Sequence, residues 1–264
     1  MLIDFHTHAF PTHLAANVIE KLSFVSGGLM PYTDGTVAGL RRSMRENNID
    51  VSVVMNIATN EKQQSKVNDF AASVNNGVDL FAFGSVFPDS PNALEELERI
   101  KFLGLLGVKF HPDYQCFSAD DEKMKPIYKK ISSLGLITLF HAGYDYGHKP
   151  PYGATPERLQ KAVSWLESPV IAAHWGGIGC FEGVLNSLCT IENLYFDTSF
   201  GYSIIPKYFA EKIIEKKGID RILFGTDTPW HNKGMEFRLL NSLELSQHQL
   251  KNITYNNAKR LLKI

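Results

Sequence analysis

Asp4-Phe5-His6-Thr7-His8 places two histidines two positions apart at the end of an apolar segment that is typical of a β-strand. Alternate residues of a strand point to the same face, so His6 and His8 can share one metal ion. Imidazole is the commonest protein ligand of zinc-like cations, and two rings held by one strand lose little entropy on converging. A His-x-His pair alone is not specific for a metal site. Its interpretation depends on what the rest of the chain contributes.

Further segments of the same kind follow along the chain. Each is short, apolar and rich in β-branched or aromatic residues, and stretches with helical periodicity separate them. This alternation predicts parallel strands joined by crossover helices. The eight predicted strands are 2–8, 51–58, 81–87, 106–111, 136–141, 170–174, 194–199 and 222–227. The predicted helices are 36–47, 60–75, 92–103, 120–134, 155–166, 181–188 and 206–217.

Polar strand ends distinguish between the two architectures that fit this alternation. An open doubly wound sheet would spread its strand ends along an edge, whereas a closed barrel brings them around one centre. Six of the eight predicted strands carry His, Lys or Asp at their C-terminal ends. We therefore predict an α/β fold, a single (β/α)8 TIM-barrel domain over residues 1–264. The segment 10–32 lacks a strand pattern and is predicted to be a loop with a short helix that covers the barrel mouth.

Composition and charge exclude several classes of protein. The 264 residues are 44% hydrophobic and 21% charged, which suits a large core and argues against disorder. A formal net charge of -1 gives no electrostatic footprint for nucleic acid or membrane, so a small-molecule substrate is expected. No signal-peptide pattern or long apolar run occurs, which predicts a cytoplasmic protein. A homodimer is the default expectation for its assembly.

The order of the polar strand ends resembles that of the amidohydrolase superfamily. Its members carry His-x-His on strand one, a Lys, a Glu or no ligand on strand four, His on strands five and six, and Asp on strand eight. The matching residues here are His6, His8, Lys109, His111, His141, His174 and Asp227. More narrowly, the chain resembles the group that includes aminocarboxymuconate-semialdehyde decarboxylase. The phrases that carry this resemblance are Gly107-Val108-Lys109-Phe110-His111-Pro112, Phe140-His141-Ala142-Gly143, Ala173-His174-Trp175-Gly176-Gly177, Phe224-Gly225-Thr226-Asp227-Thr228-Pro229 and the closing Tyr255-Asn256-Asn257-Ala258-Lys259-Arg260-Leu261-Leu262.

The resemblance implies a metal centre built from four of these side chains. His6, His8 and His141 would supply nitrogens and Asp227 an anionic oxygen, a set that suits Zn²⁺, with Mn²⁺ also possible. A metal-bound water is acidified to a pKa of about 7. Asp227 could bind the ion and also take the proton from that water, because a carboxylate has one oxygen for each task. One ion is favoured, and two are possible.

Two further residues have alternative roles. His174 is expected to transfer protons in a one-metal site, or to bind the second ion in a two-metal site. Lys109 would bridge two ions if its amine were carboxylated. Otherwise Lys109 or His111, which share one strand face, would contact the substrate. Burial of an unmodified lysine beside a dication is unfavourable without a compensating anion. A one-metal site with Lys109 or His111 touching substrate is preferred.

Loop residues after the strands are candidates for substrate contact. The aromatic and proline-stiffened segment 144–152 is predicted to be the specificity loop, with Tyr144 and also Trp175 as substrate contacts. Asp4 is expected to share the face of His6 and to orient a ligand imidazole. His148 and His231 are expected to be solvated loop residues, with substrate contact as the alternative.

The leading functional hypothesis is a metal-dependent hydrolase that opens a lactone, ester or amide of a small molecule with a metal-activated water. Asp227 and His174 would transfer the protons. The alternative is a lyase on the same site, a non-oxidative decarboxylase of an aromatic or unsaturated acid. A non-catalytic metal-dependent binding protein is a third class, because fold does not fix function. The sequence does not specify the substrate.

Overall fold

Eight parallel strands in the computed structural model, which describes all 264 residues, correspond one to one with the eight predicted segments. They are β1 (Ile3–Thr7), β2 (Val51–Met55), β3 (Leu80–Phe83), β4 (Gly107–Phe110), β5 (Ile137–Phe140), β6 (Val170–Ala172), β7 (Leu194–Asp197) and β8 (Ile222–Leu223). All eight end earlier than predicted. His8, His111, His141 and His174 therefore lie just beyond their strands, in the first loop residues of the carboxyl end.

The strands close into a barrel. Pairing is parallel and sequential from β1 to β3 and from β4 to β8. Isolated bridges join the two sheets, between Gly84 and Val108 on one side and between Thr7 and Thr228 on the other. The (β/α)8 barrel predicted from the polar strand ends is confirmed, and the carboxyl ends of all eight strands meet at one mouth.

The helices form the outer layer. They are α1 (Thr12–Val25), α2 (Val37–Glu46), α3 (Gln64–Val74), α4 (Ala93–Phe102), α5 (Lys125–Ser133), α6 (Pro156–Val163), α7 (Phe181–Ser187), α8 (Lys207–Lys217), α9 (Lys233–Ser242), α10 (Gln247–Lys251) and α11 (Asn257–Leu262). Helices α2 to α8 are the seven predicted ones; α3 and α5 begin with short 3-10 turns. Helix α1 lies in the segment 10–32, where a helix was predicted, but with 14 residues it is longer than the short helix expected.

None of these helices combines the length and the apolar character that a membrane span requires.

Two apolar layers hold the barrel together. A cluster of 50 buried residues fills the space between strands and helices, and a second cluster of 14 fills the barrel interior. The second cluster joins Ala258 and Leu262 of α11 to strand residues such as Phe5 and Leu139. The side-chain amide of Asn257 also donates to the carbonyl of Ile222 at 2.7 Å. Helix α11 therefore covers the amino-terminal end of the barrel, which we call its floor. The opposite, carboxyl-terminal end carries the polar side chains and stays accessible.

A register shift in β1 decides which of its side chains face the interior. Asp4 pairs with Ser52, but Thr7 pairs with Val54, so three steps along β1 match two along β2. One extra residue reverses the pleat, which puts His6 on the opposite face from Asp4. The Asp4 carboxylate instead accepts bonds from the amide and hydroxyl of Thr226, at 2.9 and 2.6 Å. The prediction that Asp4 orients an imidazole was therefore wrong: its carboxylate ties β1 to the loop after β8.

Candidate active site

Three of the four predicted metal ligands converge at the barrel mouth. Nε2 of His8 lies 3.1 Å and Nε2 of His6 lies 3.5 Å from Oδ1 of Asp227. On the far side of the rings, Nδ1 of His6 is 2.9 Å from Asp197 Oδ2, and Nδ1 of His8 is 3.1 Å from the Met55 carbonyl. These oxygens accept hydrogen bonds, so we infer that both Nδ1 atoms carry the proton. Both Nε2 atoms then present lone pairs toward Asp227, as in metal-bound histidines.

This donor set fits a divalent metal ion. Burial lowers the pKa of His6 to about 4, and the Lys109 cation acts in the same direction, so the ring is neutral at pH 7. Burial acts to raise the pKa of Asp227, but the histidines beside it hold it below its ordinary value. The lone pair of the neutral His6 ring and the Asp227 oxygen 3.5 Å from it are two acceptors without a shared proton. A cation would compensate both.

His141, the fourth predicted ligand, faces His174. Its Nε2 is 2.9 Å from the carbonyl of Tyr144, so Nε2 carries the proton and Nδ1 is a lone pair. That Nδ1 lies 3.1 Å from Nε2 of His174. Nδ1 of His174 donates to Ser199, whose carbonyl is 3.2 Å away, which leaves Nε2 of His174 as a second lone pair. The ring of His174 also stacks on that of His6, with centroids 5.2 Å apart. His174 therefore links His141 to the other three predicted ligands.

Lys109 and His111 both point into the barrel. Lys109 is 1% exposed, and its amine lies 3.3 Å from Nε2 of His6, its one hydrogen-bond partner. Burial lowers the pKa of Lys109 to about 8, although the charges of Asp197 and Asp227 oppose the shift. The ring of His111 stacks on His141 with centroids 4.1 Å apart. Burial also lowers the pKa of His111 well below its ordinary value.

Two residues of this site, Asp197 and Ser199, were not predicted from the sequence. Both are fully buried at the end of β7. While Oδ2 of Asp197 binds His6, its Oδ1 accepts from the backbone amides of His174 and Ser199, at 3.1 and 3.0 Å. The Ser199 hydroxyl donates to the same carboxylate, so its oxygen can accept from Nδ1 of His174, 2.9 Å away. Together they fix the tautomers of two site histidines. Their position at a strand end was the available signal.

The remaining predicted residues occupy different environments. Tyr144 is 47% exposed, and its ring stacks on Tyr152 within the predicted specificity loop. Trp175 is 1% exposed, and its indole N–H donates to the Thr198 carbonyl at 3.1 Å, so its contact with substrate stays a prediction. His231 is buried, so the expectation of a solvated loop residue was wrong. The carboxylate of Glu236 binds its ring inside the protein.

A protein-family model described as amidohydrolase matches residues 3–264 of this chain. No curated protein matches it. Among solved structures, an uncharacterised TIM-barrel protein from Bordetella bronchiseptica is similar, with a TM-score of 0.82, 18% identity, and coverage of 99% of this chain and 98% of that one.

Two decarboxylases have the same fold. One is 2,6-dihydroxybenzoate decarboxylase in complex with 2,6-dihydroxybenzoate, with a TM-score of 0.72, 19% identity, and coverage of 100% of this chain and 99% of that one. The other is a dihydroxybenzoic acid decarboxylase from a Polaromonas species with bound manganese and the inhibitor 2-nitroresorcinol. Its TM-score is 0.73 at 18% identity, with coverage of 99% of this chain and 96% of that one.

Proposed function

This chain belongs to the amidohydrolase family, as its strand-end motifs predicted, and we propose that it is a metal-dependent, non-oxidative decarboxylase of a small aromatic or unsaturated acid. The proposal reverses the order of the two hypotheses drawn from the sequence, in which hydrolysis came first. The decarboxylases among the similar structures support the reversal. We propose one bound ion, either zinc or manganese. The manganese bound in one of these decarboxylase structures supports manganese.

The observation that carries the proposal is the buried amine of Lys109. It is 1% exposed and its one hydrogen-bond partner is the neutral ring of His6, while the carboxylates of Asp197 and Asp227 act on it only from beyond ion-pair distance. A buried ammonium group is unfavourable unless an anion compensates it. The carboxylate of an acid substrate would supply that anion. A neutral lactone, ester or amide would leave the ammonium group of Lys109 without that anion.

The histidines are placed for the proton transfer that decarboxylation needs. When the bond between the substrate carbon and its carboxyl group breaks, the electron pair stays on that carbon, which then takes a proton, and carbon dioxide leaves. Nε2 of His174, whose lone pair faces the site, can carry that proton, while Nδ1 of His141, 3.1 Å away, is left for the metal ion. Ser199 keeps the His174 ring in the orientation that presents Nε2. A divalent ion held by His6, His8 and Asp227, with His141 as the predicted fourth ligand, would stabilise negative charge on substrate oxygens.

The test runs two substrate panels beside each other on metal-loaded protein. We expect at least one aromatic or unsaturated acid, 2,6-dihydroxybenzoate among those tried, to release carbon dioxide. In D₂O the product should carry one deuteron at the carbon that lost the carboxyl group. 2-Nitroresorcinol should compete with the acid. If lactones, esters or amides are opened while no acid releases carbon dioxide, the hydrolase hypothesis is correct instead.

A further inference from the structure

A buried histidine–carboxylate pair behind the active site has no part in the chemistry proposed above. Nδ1 of His231 lies 2.6 Å from Oε1 of Glu236, with side chains 6% and 0% exposed. His231 belongs to the loop after β8, and Glu236 belongs to α9. The carboxylate of Glu236 also accepts from the backbone amide of Gly201, with N–O distances of 3.2 and 3.1 Å. The pair therefore anchors the loop between β7 and α8, residues 198–206.

The anchored loop carries Phe200 to the edge of the active site. The Phe200 ring stacks on His231, with centroids 4.1 Å apart and planes inclined by 25°. Its centroid is 6.5 Å from that of His174 and 5.9 Å from that of Tyr146 in the predicted specificity loop. Phe200 thus stands between the buried pair and the proposed proton donor.

The backbone of Phe200 is held in an unfavourable conformation. Its φ of 55° lies in the left-handed region, which a residue with a side chain adopts only where its surroundings enforce it. Two contacts supply that enforcement: the bond from the next amide, of Gly201, to Glu236, and the stacking of the ring on His231. Conformations of this kind cluster at ligand-binding positions.

We propose that Phe200, positioned by His231 and Glu236, is the specificity-determining residue for the flat, unsaturated part of the substrate. This inference rests on the proposed function, since it assigns the ring of the acid to this wall of the site. A phenyl ring favours stacked or edge-on contact with another aromatic ring over contact with an aliphatic chain. A cavity of about 450 Å³ lies between the two loops and is lined by Tyr146, Ile178 and Ile204 among others; Phe200 does not line it but meets it through the ring of Tyr146. The size of the cavity suits a single-ring acid.

The first experiment replaces the ring without removing the apolar side chain. Phe200→Leu should raise the Kd of 2-nitroresorcinol, measured by calorimetry on metal-loaded protein, between about 2- and 10-fold, the loss expected for one aromatic pair. The preference in kcat/KM for aromatic over non-aromatic unsaturated acids should fall by the same factor. Phe102→Leu, at a position 89% exposed, is the matched control and should change neither value.

An unchanged Kd in Phe200→Leu, or no binding of 2-nitroresorcinol by the wild type, would overturn the assignment. If the probe binds and depends on Phe200 while no acid loses carbon dioxide, the inference stands and the proposed decarboxylation fails.

The second experiment tests the anchor by a readout that does not depend on turnover. Burial raises the pKa of Glu236 to about 7, so exchange is measured above that pH; there, in Glu236→Gln, hydrogen exchange of the Gly201 amide should accelerate by about 10-fold, because the amide loses a charged acceptor. The Kd of the probe should rise as in Phe200→Leu, with metal content unchanged. Glu244→Gln, on the surface at the end of α9, is the control. If Glu236→Gln does not fold, His231→Asn serves in its place. Wild-type exchange and wild-type Kd in a folded variant would refute the positioning role.

Discussion

At the scale of single residues, His174 is the side chain whose chemistry can be separated from metal binding. Burial lowers its pKa, and its ring lies against both His141 and His6 without contacting Asp227 as His8 does. His174→Asn should therefore lower turnover by about 10²–10⁴-fold, the contribution of a proton-transfer residue, while the first metal stays bound. His8→Asn should lower both metal occupancy and turnover. Metal per chain and carbon dioxide release are measured on both variants.

A different outcome of this pair of variants would reassign the site. If the wild type holds two ions and His174→Asn loses one, His174 is a ligand of the second ion, and Lys109 becomes the carboxylated bridge between the two.

Asp197 would act on the proposed metal ion through His6. Its carboxylate fixes the proton on Nδ1 of His6, which orients Nε2 toward the ion. Asp197→Asn should weaken metal affinity by about 10- to 100-fold, as the loss of such partners typically does. Competition with a chelator of known affinity measures the change. Asp89→Asn, an exposed position in an ion pair with Lys123, is the control. A metal affinity within twofold of that of the wild type would contradict this role. It would show that His8, oriented by the Met55 carbonyl, and Asp227 hold the ion without help from Asp197.

At the scale of secondary structure elements, the sequence predicted the strands because they are short segments buried on both faces, and the helices α2 to α8 because their apolar residues follow a helical period. It could not predict the register shift in β1, since one extra residue leaves no separate signal in a five-residue strand that is buried throughout, and the face of Asp4 was assigned wrongly for that reason. Helix α1 was underestimated although Ala15, Val18, Ile19 and Leu22 follow a helical period; Ala15 alone is fully buried, so the helix packs only lightly on the barrel. Of the site residues, the histidines at the strand ends could be recognised in the sequence because histidine is rare. Asp197 could not, because nothing in the sequence distinguishes it from the other aspartates.

Helix α11 provides a test of the barrel floor as an element. Leu262 is 3% exposed and packs against the interior cluster, so Leu262→Ala removes buried methyl groups and leaves a cavity. We expect the free energy of unfolding to fall by about 2–4 kcal/mol. Turnover per folded molecule and metal content should not change, because the site lies at the opposite end of the strands. Ile264→Ala, at a position 40% exposed, should change stability by less than about 0.5 kcal/mol. Denaturant titration with assays on the folded fraction measures both. Loss of metal in Leu262→Ala would show that floor and mouth are coupled.

At the scale of the whole molecule, the apolar clusters and the polar mouth are built from different residues. Neither core cluster contains any of the predicted metal ligands. The barrel core therefore does not depend on an ion, and the pairs of acceptors that an ion would compensate are local: His6 with Asp227, and His141 with His174.

Removal of the metal should thus abolish activity and leave the fold largely intact. Chelated protein should keep the circular dichroism spectrum of the barrel. Because an ion bound only by the folded state stabilises it by mass action, the free energy of unfolding should fall by about 3 kcal/mol from its value at metal concentrations near 100 times the Kd. Zinc or manganese added back should restore both stability and carbon dioxide release. Elemental analysis that finds no metal after metal-supplemented expression, or full turnover after chelation, would contradict a metal site at His6, His8, His141 and Asp227. Unfolding on chelation would instead mean that the ion is structural and that the mouth holds the barrel closed.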